Sequence, residues 1–384
     1  MKQKLSMNIK KILPIFLSMF ICFSVAAQEV DDDKIEKLIE EIEDLREELD
    51  ELKEKVKEDA AKIDTLKVKE EVKSNEATER EKKKKGDGKV ILLSFVNFNC
   101  TSTAGENAKV AFGLGRTYMG YEYKFNNGIR IKAVIDFGKP SAIEDYNYLA
   151  YIKNAFVGWT RKGFTINGGM IQTTQSALQE KLWAKRYIMM VFHDQYKFGS
   201  SADLGFSMEY KFTDWVKADF MMVNGEGYKK FQKNKGLLYA LGFTFNPIEE
   251  LYIRLYADLN NSGLSGESNI YGYSALAAYK SDKFTISGEF NMMQNYKNAK
   301  GDNKLGCSVY GSAKAHKLIN VYARYDFITS NDKWDINNDK QMIMAGFEII
   351  PCKYVKLSPN FRMEIPRAGG PNNYMGYLSC YFGL

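Results

Sequence analysis

Two histidines in 384 residues leave little material for His-ligated metals or imidazole-based catalysis. The five cysteines, Cys22, Cys100, Cys307, Cys352 and Cys380, show neither CxxC nor any other metal-ligand spacing. No metal site and no disulfide framework is therefore expected. Long apolar runs are equally scarce, since only Ile12–Val25 approaches one. A bundle of membrane-spanning helices, which needs repeated runs of about 20 apolar residues, is excluded. What the chain does have is bulk: 45% of it is hydrophobic, with 24 Tyr and 24 Phe, which excludes a disordered protein.

The chain divides into zones of different composition. Lys2, Lys4, Lys10 and Lys11 precede the apolar stretch, and Val25-Ala26-Ala27 places small residues at a cleavage position. Residues 1–27 thus read as a secretory signal, with the mature chain beginning at Gln28. Within 28–70 a heptad repeat follows, with Ile35, Ile42, Leu49, Val56 and Ile63 at position a. Position d holds Leu38, Leu45, Leu52, Asp59 and Leu66. Nine apolar residues in ten core slots, with Glu41 and Arg46 or Glu48 and Lys53 at g-to-e spacing, predict a self-associating coiled coil. Residues 71–88 form a charged linker. Its run Lys82–Lys85 reads as a solvated hinge, because an exported chain rarely meets nucleic acid.

From Lys89 to Leu384 the period changes to two. In 251–259, Leu251, Ile253, Leu255, Ala257 and Leu259 oppose Tyr252, Arg254, Tyr256 and Asp258. The same alternation runs through 129–137, 319–327 and 355–364, as at a half-buried sheet surface. Segmenting at turn residues predicts sixteen strands near 89–98, 110–125, 129–137, 148–160, 164–171, 201–212, 215–223, 236–245, 250–259, 270–280, 284–294, 304–314, 317–327, 340–350, 354–364 and 374–384. Their length of about ten residues suits a tilted membrane crossing better than a sandwich, whose strands average five or six. Tight turns such as Asn126-Asn127-Gly128 and Thr213-Asp214 alternate with long connections such as 172–200 and 224–235. Short periplasmic turns alternating with long outer loops predict an all-β transmembrane barrel of about 16 antiparallel strands, preceded by the helical coiled coil.

Four motifs follow one another along the chain: Phe112…Arg116-Thr117-Tyr118-Met119-Gly120-Tyr121, Asn154-Ala155-Phe156-Val157-Gly158, Ser201-Ala202-Asp203-Leu204-Gly205 and Asn224-Gly225-Glu226-Gly227-Tyr228. In these the stretch from about Gly88 onward resembles the phosphate-selective porin O and P family, especially members with an amino-terminal coiled coil. The resemblance implies a trimeric diffusion porin in the outer membrane of a Gram-negative bacterium, with the coiled coil in the periplasm. The partners it implies are outer-membrane lipid and small hydrophilic solutes or anions.

Catalytic signals are missing. Gly113-Leu114-Gly115 with Gly120 lacks the spacing of a nucleotide loop, and His193 and His316 lie in connections where neither is expected to face a serine. An enzyme, a cofactor and a nucleic-acid partner are therefore not expected. Function is expected in the lumen, where the alternation places Arg116, Arg130, Lys132, Lys217, Arg254, Arg324 and Arg362 as pore-lining candidates. The apolar residues of 172–200 predict that this long connection folds inward, with Lys181, Lys185 and Arg186 as constriction candidates. Residues 89–384 hold 35 Lys and Arg against 25 Asp and Glu, whereas 31–88 hold 15 against 22. A basic barrel would concentrate anions. The alternative function is structural: a plugged barrel whose coiled coil spaces or tethers the outer membrane.

Overall fold

The computed structural model describes residues 86–138, 148–233 and 235–384. The signal, coiled-coil and linker expectations fall outside them, apart from the last residues of the linker. The chain divides into two units, Met1–Glu81 and Lys82–Leu384, and the described residues belong to the second.

That unit is a closed antiparallel barrel. Its strands are β1 (Asp87–Thr103), β2 (Lys109–Lys124), β3 (Ile129–Gly138), β4 (Leu149–Arg161), β5 (Phe164–Gln172), β6 (Ala202–Lys211), β7 (Val216–Val223) and β8 (Leu238–Phe245). The second half comprises β9 (Leu251–Asn260), β10 (Ile270–Lys280), β11 (Phe284–Gln294), β12 (Lys304–His316), β13 (Ile319–Ser330), β14 (Lys340–Cys352), β15 (Val355–Pro366) and β16 (Asn373–Gly383). Each strand pairs with its sequence neighbours, and β16 closes on β1 over Leu93↔Gly383 to Thr103↔Asn373. Closure leaves no sheet edge unpaired, so the backbone polar groups are satisfied within the wall. The expected sixteen strands are all present, each overlapping its expected segment.

Side chains alternate as the period-two pattern requires, but the apolar face is the outer one. On β9, Ile253 and Leu255 are exposed while Arg254, Tyr256 and Asp258 are buried. Leu241 and Phe243 on the neighbouring β8, and Ile131, Ile135 and Val157 on β3 and β4, extend this outer surface. An apolar exterior around a polar interior is the arrangement that hydrocarbon solvent selects. Among the described residues no helix is long and apolar enough to cross a membrane. The tight turns close one end of the barrel. At the first, Gly128 takes φ +88°, and a Cβ there would lie 2.2 Å from the Thr160 carbonyl oxygen. Only glycine fits that turn.

Four strand pairs shift register: β12 with β13 and β14 with β15 do so next to their tight turns, and two others do so within the wall. Gly115 is the extra residue where β1 and β2 shift register, between the pairs Phe95↔Arg116 and Val96↔Leu114. Lys153 is the extra residue where β3 and β4 shift, between Val134↔Asn154 and Ile135↔Ile152. In consequence Lys153 and Asn154 are both buried although adjacent.

Candidate pore constriction

The connection between β5 and β6 holds helix α1 (Thr174–Trp183) and the short helix α2 (Phe192–Gln195). Its two ends are clasped together: the Thr173 amide donates to the Ser201 carbonyl (3.3 Å) and the Thr173 hydroxyl to the Ser200 carbonyl (2.5 Å). Helix α1 ends at Ala184, which adopts the left-handed conformation (φ 53°) with its amide on the Glu180 carbonyl (2.9 Å). The reversal is held by the Trp183 indole N–H, which donates to the Met189 carbonyl at 2.8 Å.

This segment lies inside the barrel, since its partners belong to the face opposite the exposed apolar one. Trp183 packs edge-on against Tyr310 (5.0 Å) and Tyr322 (6.1 Å), and Tyr187 packs against Phe95 and Tyr381. Phe192 is fully buried between Tyr196 and Phe198. Burying each such side chain contributes about 1.5–3 kcal/mol, which is why a long connection rich in apolar residues docks on the wall.

The wall answers with cations on main-chain carbonyls. Arg324 donates to the Met190 carbonyl (2.8 Å), Arg362 to that of Ile188 (2.7 Å) and Lys304 to that of Tyr196 (2.8 Å). Lys280 donates to the Lys181 carbonyl. Side-chain contacts add Gln175 to Ser274 (2.9 Å), Tyr187 to Glu348 (3.2 Å), His193 to Asn291 (3.1 Å), and Gln179 to Glu289. These partners run from β9 through β16 to β1 and β2.

The pore-lining candidates accordingly fall into two groups. Arg254, Arg324 and Arg362 lie beneath the inward segment. Arg254 grips Asp219 (2.6 and 3.0 Å) and Gln175 (2.7 Å), and Arg324 pairs with Asp326 at 2.8 Å. Arg362 stacks 4.0 Å above the Tyr377 ring. Arg116, Arg130, Lys132 and Lys217 lie on β2, β3 and β7 and keep part of their surface accessible. Arg116 pairs with Asp136 (2.6 Å), and Lys217 with Glu209 (2.9 Å). Arg130 and Lys132 share Glu122 at 3.8 and 3.9 Å.

Of the constriction candidates, Lys181 is exposed, with Nζ 3.2 Å from the Tyr252 hydroxyl. Lys185 is buried 3.9 Å from Glu348. Arg186 forms a double ion pair with Glu180 (2.5 Å) and Asp194 (3.0 Å) and donates to the Tyr118 hydroxyl (3.4 Å). Asp194 is held below the usual carboxylate range: burial opposes its ionisation, but Arg186 and Lys153 outweigh that.

Opposite Arg186 stand groups that the alternation had not singled out. Lys153 bonds to Ser201, lies 4.3 Å from the centre of the Tyr228 ring, and interacts electrostatically with Arg186, Glu180, Asp194 and Asp136. The Tyr228 hydroxyl donates to Asp136 (2.6 Å). Lys229 lies 4.8 Å from the centre of the Tyr151 ring. Burial, and then the nearby Arg116, push the Lys229 ammonium down to about 8. The segment therefore presents Glu180, Arg186 and Asp194 to an arc carrying Arg116, Lys153 and Lys229. Charges of both signs at such a narrowing produce a strong local field and a hydrated surface, the physical means by which a pore sorts ions.

A closed sixteen-strand antiparallel barrel with a segment folded against its inner wall is a porin-type barrel. Solved porin structures share this fold. The chain superposes on OprB of Pseudomonas putida with a TM-score of 0.61 at 10% identity, over 80% of this chain and 96% of that one. The anion-selective porin from Comamonas acidovorans gives 0.59 at 11% identity, over 78% and 100%. Salmonella typhi OmpF, solved in complex with daunomycin, gives 0.56 at 9%, over 77% and 98%. No family model and no curated protein matches the chain.

Proposed function

We propose that this chain is an outer-membrane diffusion porin that passes small hydrophilic solutes with a preference for anions. The carrying observation is the segment docked inside the barrel, which sets Arg186 opposite Arg116, Lys153 and Lys229, with Asp136, Glu180 and Asp194 among them. The net positive charge of residues 89–384 works in the same direction at longer range. The anion-selective porin with the same fold is consistent with this reading. A narrower reading follows the resemblance of the strand motifs to the phosphate-selective porins: the preferred anions are phosphate-like. Residues 1–27 would direct export, 28–70 would form a periplasmic coiled coil that assists trimerisation, and 71–88 would link it to the barrel.

Planar-bilayer recording of the purified full chain tests the proposal. Stepwise conductance, with a reversal potential of anion-preferring sign in a salt gradient, is the expected result. A barrel that inserts and stays electrically silent overturns the porin reading, and a cation-preferring potential overturns the selectivity.

A further inference from the structure

Phe231, in the connection between β7 and β8, is 93% exposed, the most exposed large hydrophobic side chain among the described residues. Lys230, Lys233 and Lys235 surround it in sequence and are also exposed. The base of this connection is firmly built. The Tyr228 amide donates to the Ala202 carbonyl (2.9 Å), while its side chain reaches inward to Asp136. The Lys230 amide donates to the Gly227 carbonyl (3.1 Å), and the Gln232 side chain closes onto the Gly236 carbonyl (2.7 Å). The nearby acid, Glu226, accepts the Lys233 amide at 3.2 Å. A phenyl ring is therefore held out on an ordered base among cations.

We propose that Phe231 with Lys230, Lys233 and Lys235 forms a binding site for anionic, phosphate-bearing lipid headgroups in the leaflet at the long-loop end of the barrel. The inference rests on the outer-membrane reading above. A ring facing water is unfavourable, whereas a polar side chain at this tip would carry no such cost. The membrane interface meets both halves of the motif: the ring enters the acyl boundary while each lysine meets a phosphate. The wall next to the loop carries matching markers, since Tyr239 on β8 and Tyr271 and Tyr273 on β10 are exposed on the outer face toward that end of their strands. Tyrosines at this level form the aromatic belt of membrane proteins. A soluble anion would satisfy the lysines and leave the ring in water, which is the reason for committing to lipid.

The test uses the full chain with Phe231→Trp in lipid nanodiscs, read as the difference in tryptophan emission between variant and parent. In discs containing phosphatidylglycerol, the added tryptophan should emit to the blue of its position in phosphatidylcholine discs and be quenched by brominated acyl chains. Both effects should be lost when Lys230, Lys233 and Lys235 are replaced together by Gln. Water-like emission in both kinds of disc would overturn the proposal. So would blue emission already present in phosphatidylcholine, because burial of the ring would then need no anionic headgroup. A blue shift produced by inorganic phosphate or an anionic polysaccharide in phosphatidylcholine discs would overturn it as well. Conductance of the same variant separates the two readings. A conducting barrel with a water-exposed ring removes the lipid site alone, and a lipid-buried ring on a silent barrel removes the porin alone.

Discussion

Lys229 is a loop residue whose charge changes within an accessible pH range. It stands beside Tyr151 and within electrostatic reach of Arg116 and Arg186, and its ammonium is pushed down to about 8. Below that pH it is charged and adds to the attraction for anions; above it the charge is lost. Anion preference should therefore fall as pH rises from 7 to 9. One charge about 10 Å from a permeating ion in water is worth about 0.4 kcal/mol, so the permeability ratio should drop about twofold. Reversal potentials across that range should show the drop, and Lys229→Gln should start lower and show a smaller one. The opposing carboxylates give a converse expectation. Glu180→Gln with Asp194→Asn frees Arg186 from its two ion pairs and should raise anion preference about fourfold by the same arithmetic, unless Arg186 swings out of the pore. Conductance measured alongside would reveal such a movement. This corner of the molecule was partly legible in the sequence. Arg116 follows from simple alternation because it lies beyond the Gly115 bulge in a continuous run to Lys124. Lys153 does not, because a bulge inserts it and reverses the facing of every residue on one side of it. A bulge leaves no dependable mark in a single sequence.

The inward segment shows how apolar content and charge divide the work of one element. Its large apolar residues announce that it must be buried, and the sequence carries that signal openly in Leu182, Trp183, Ile188, Val191 and Phe192. The wall residues that receive it were legible only as inward-facing. By alternation alone Arg324 and Arg362 read as pore cations. Their engagement by the carbonyls of Met190 and Ile188 depends on the tertiary fold, which brings residues more than a hundred positions apart together. Trp183→Ala should remove the edge-on contacts with Tyr310 and Tyr322 and destabilise the barrel by about 3–5 kcal/mol, measured as a lower urea midpoint in detergent. Replacing Arg324 by Leu strands Asp326 in a buried site beside Ser308 and should cost about 3–5 kcal/mol. Adding Asp326→Leu should recover much of that loss, since a buried pair is often neutral against apolar residues of similar volume. The double variant still lacks the bond to the Met190 carbonyl, so its single-channel current should be noisier than that of the parent even where its urea midpoint recovers.

At the scale of the whole molecule, the barrel is closed through hydrogen bonds from β1 round to β16, all of them made between strands within residues 86–384. Strand number and order were readable because each crossing needs its own alternating run and each turn its own breaking residues. The ends were less so: β1 runs to Thr103 and β14 to Cys352, past the last alternating apolar residue, because strand pairing continues where hydrocarbon no longer selects the side chains. The heptads of 28–70 have a different relation to function. Under the porin proposal they assist assembly, whereas under the structural alternative they are the working part. A helix of about 40 residues would reach roughly 60 Å, enough to span a gap between surfaces. Deleting residues 31–85 while keeping the export signal separates the two. The porin proposal expects the truncated barrel to insert and conduct with the parent's unitary current and anion preference, at reduced yield of the crosslinked three-chain species. Leu45→Asp with Leu52→Asp should lower the same yield in the full-length chain by breaking two core layers. If the truncated barrel inserts but passes no current while the parent conducts, the stalk is part of the conduction machinery and the proposed division of labour fails. If neither conducts and only the parent holds the membrane at its normal spacing, measured by electron microscopy of intact cells, the tether is the function that the chain performs.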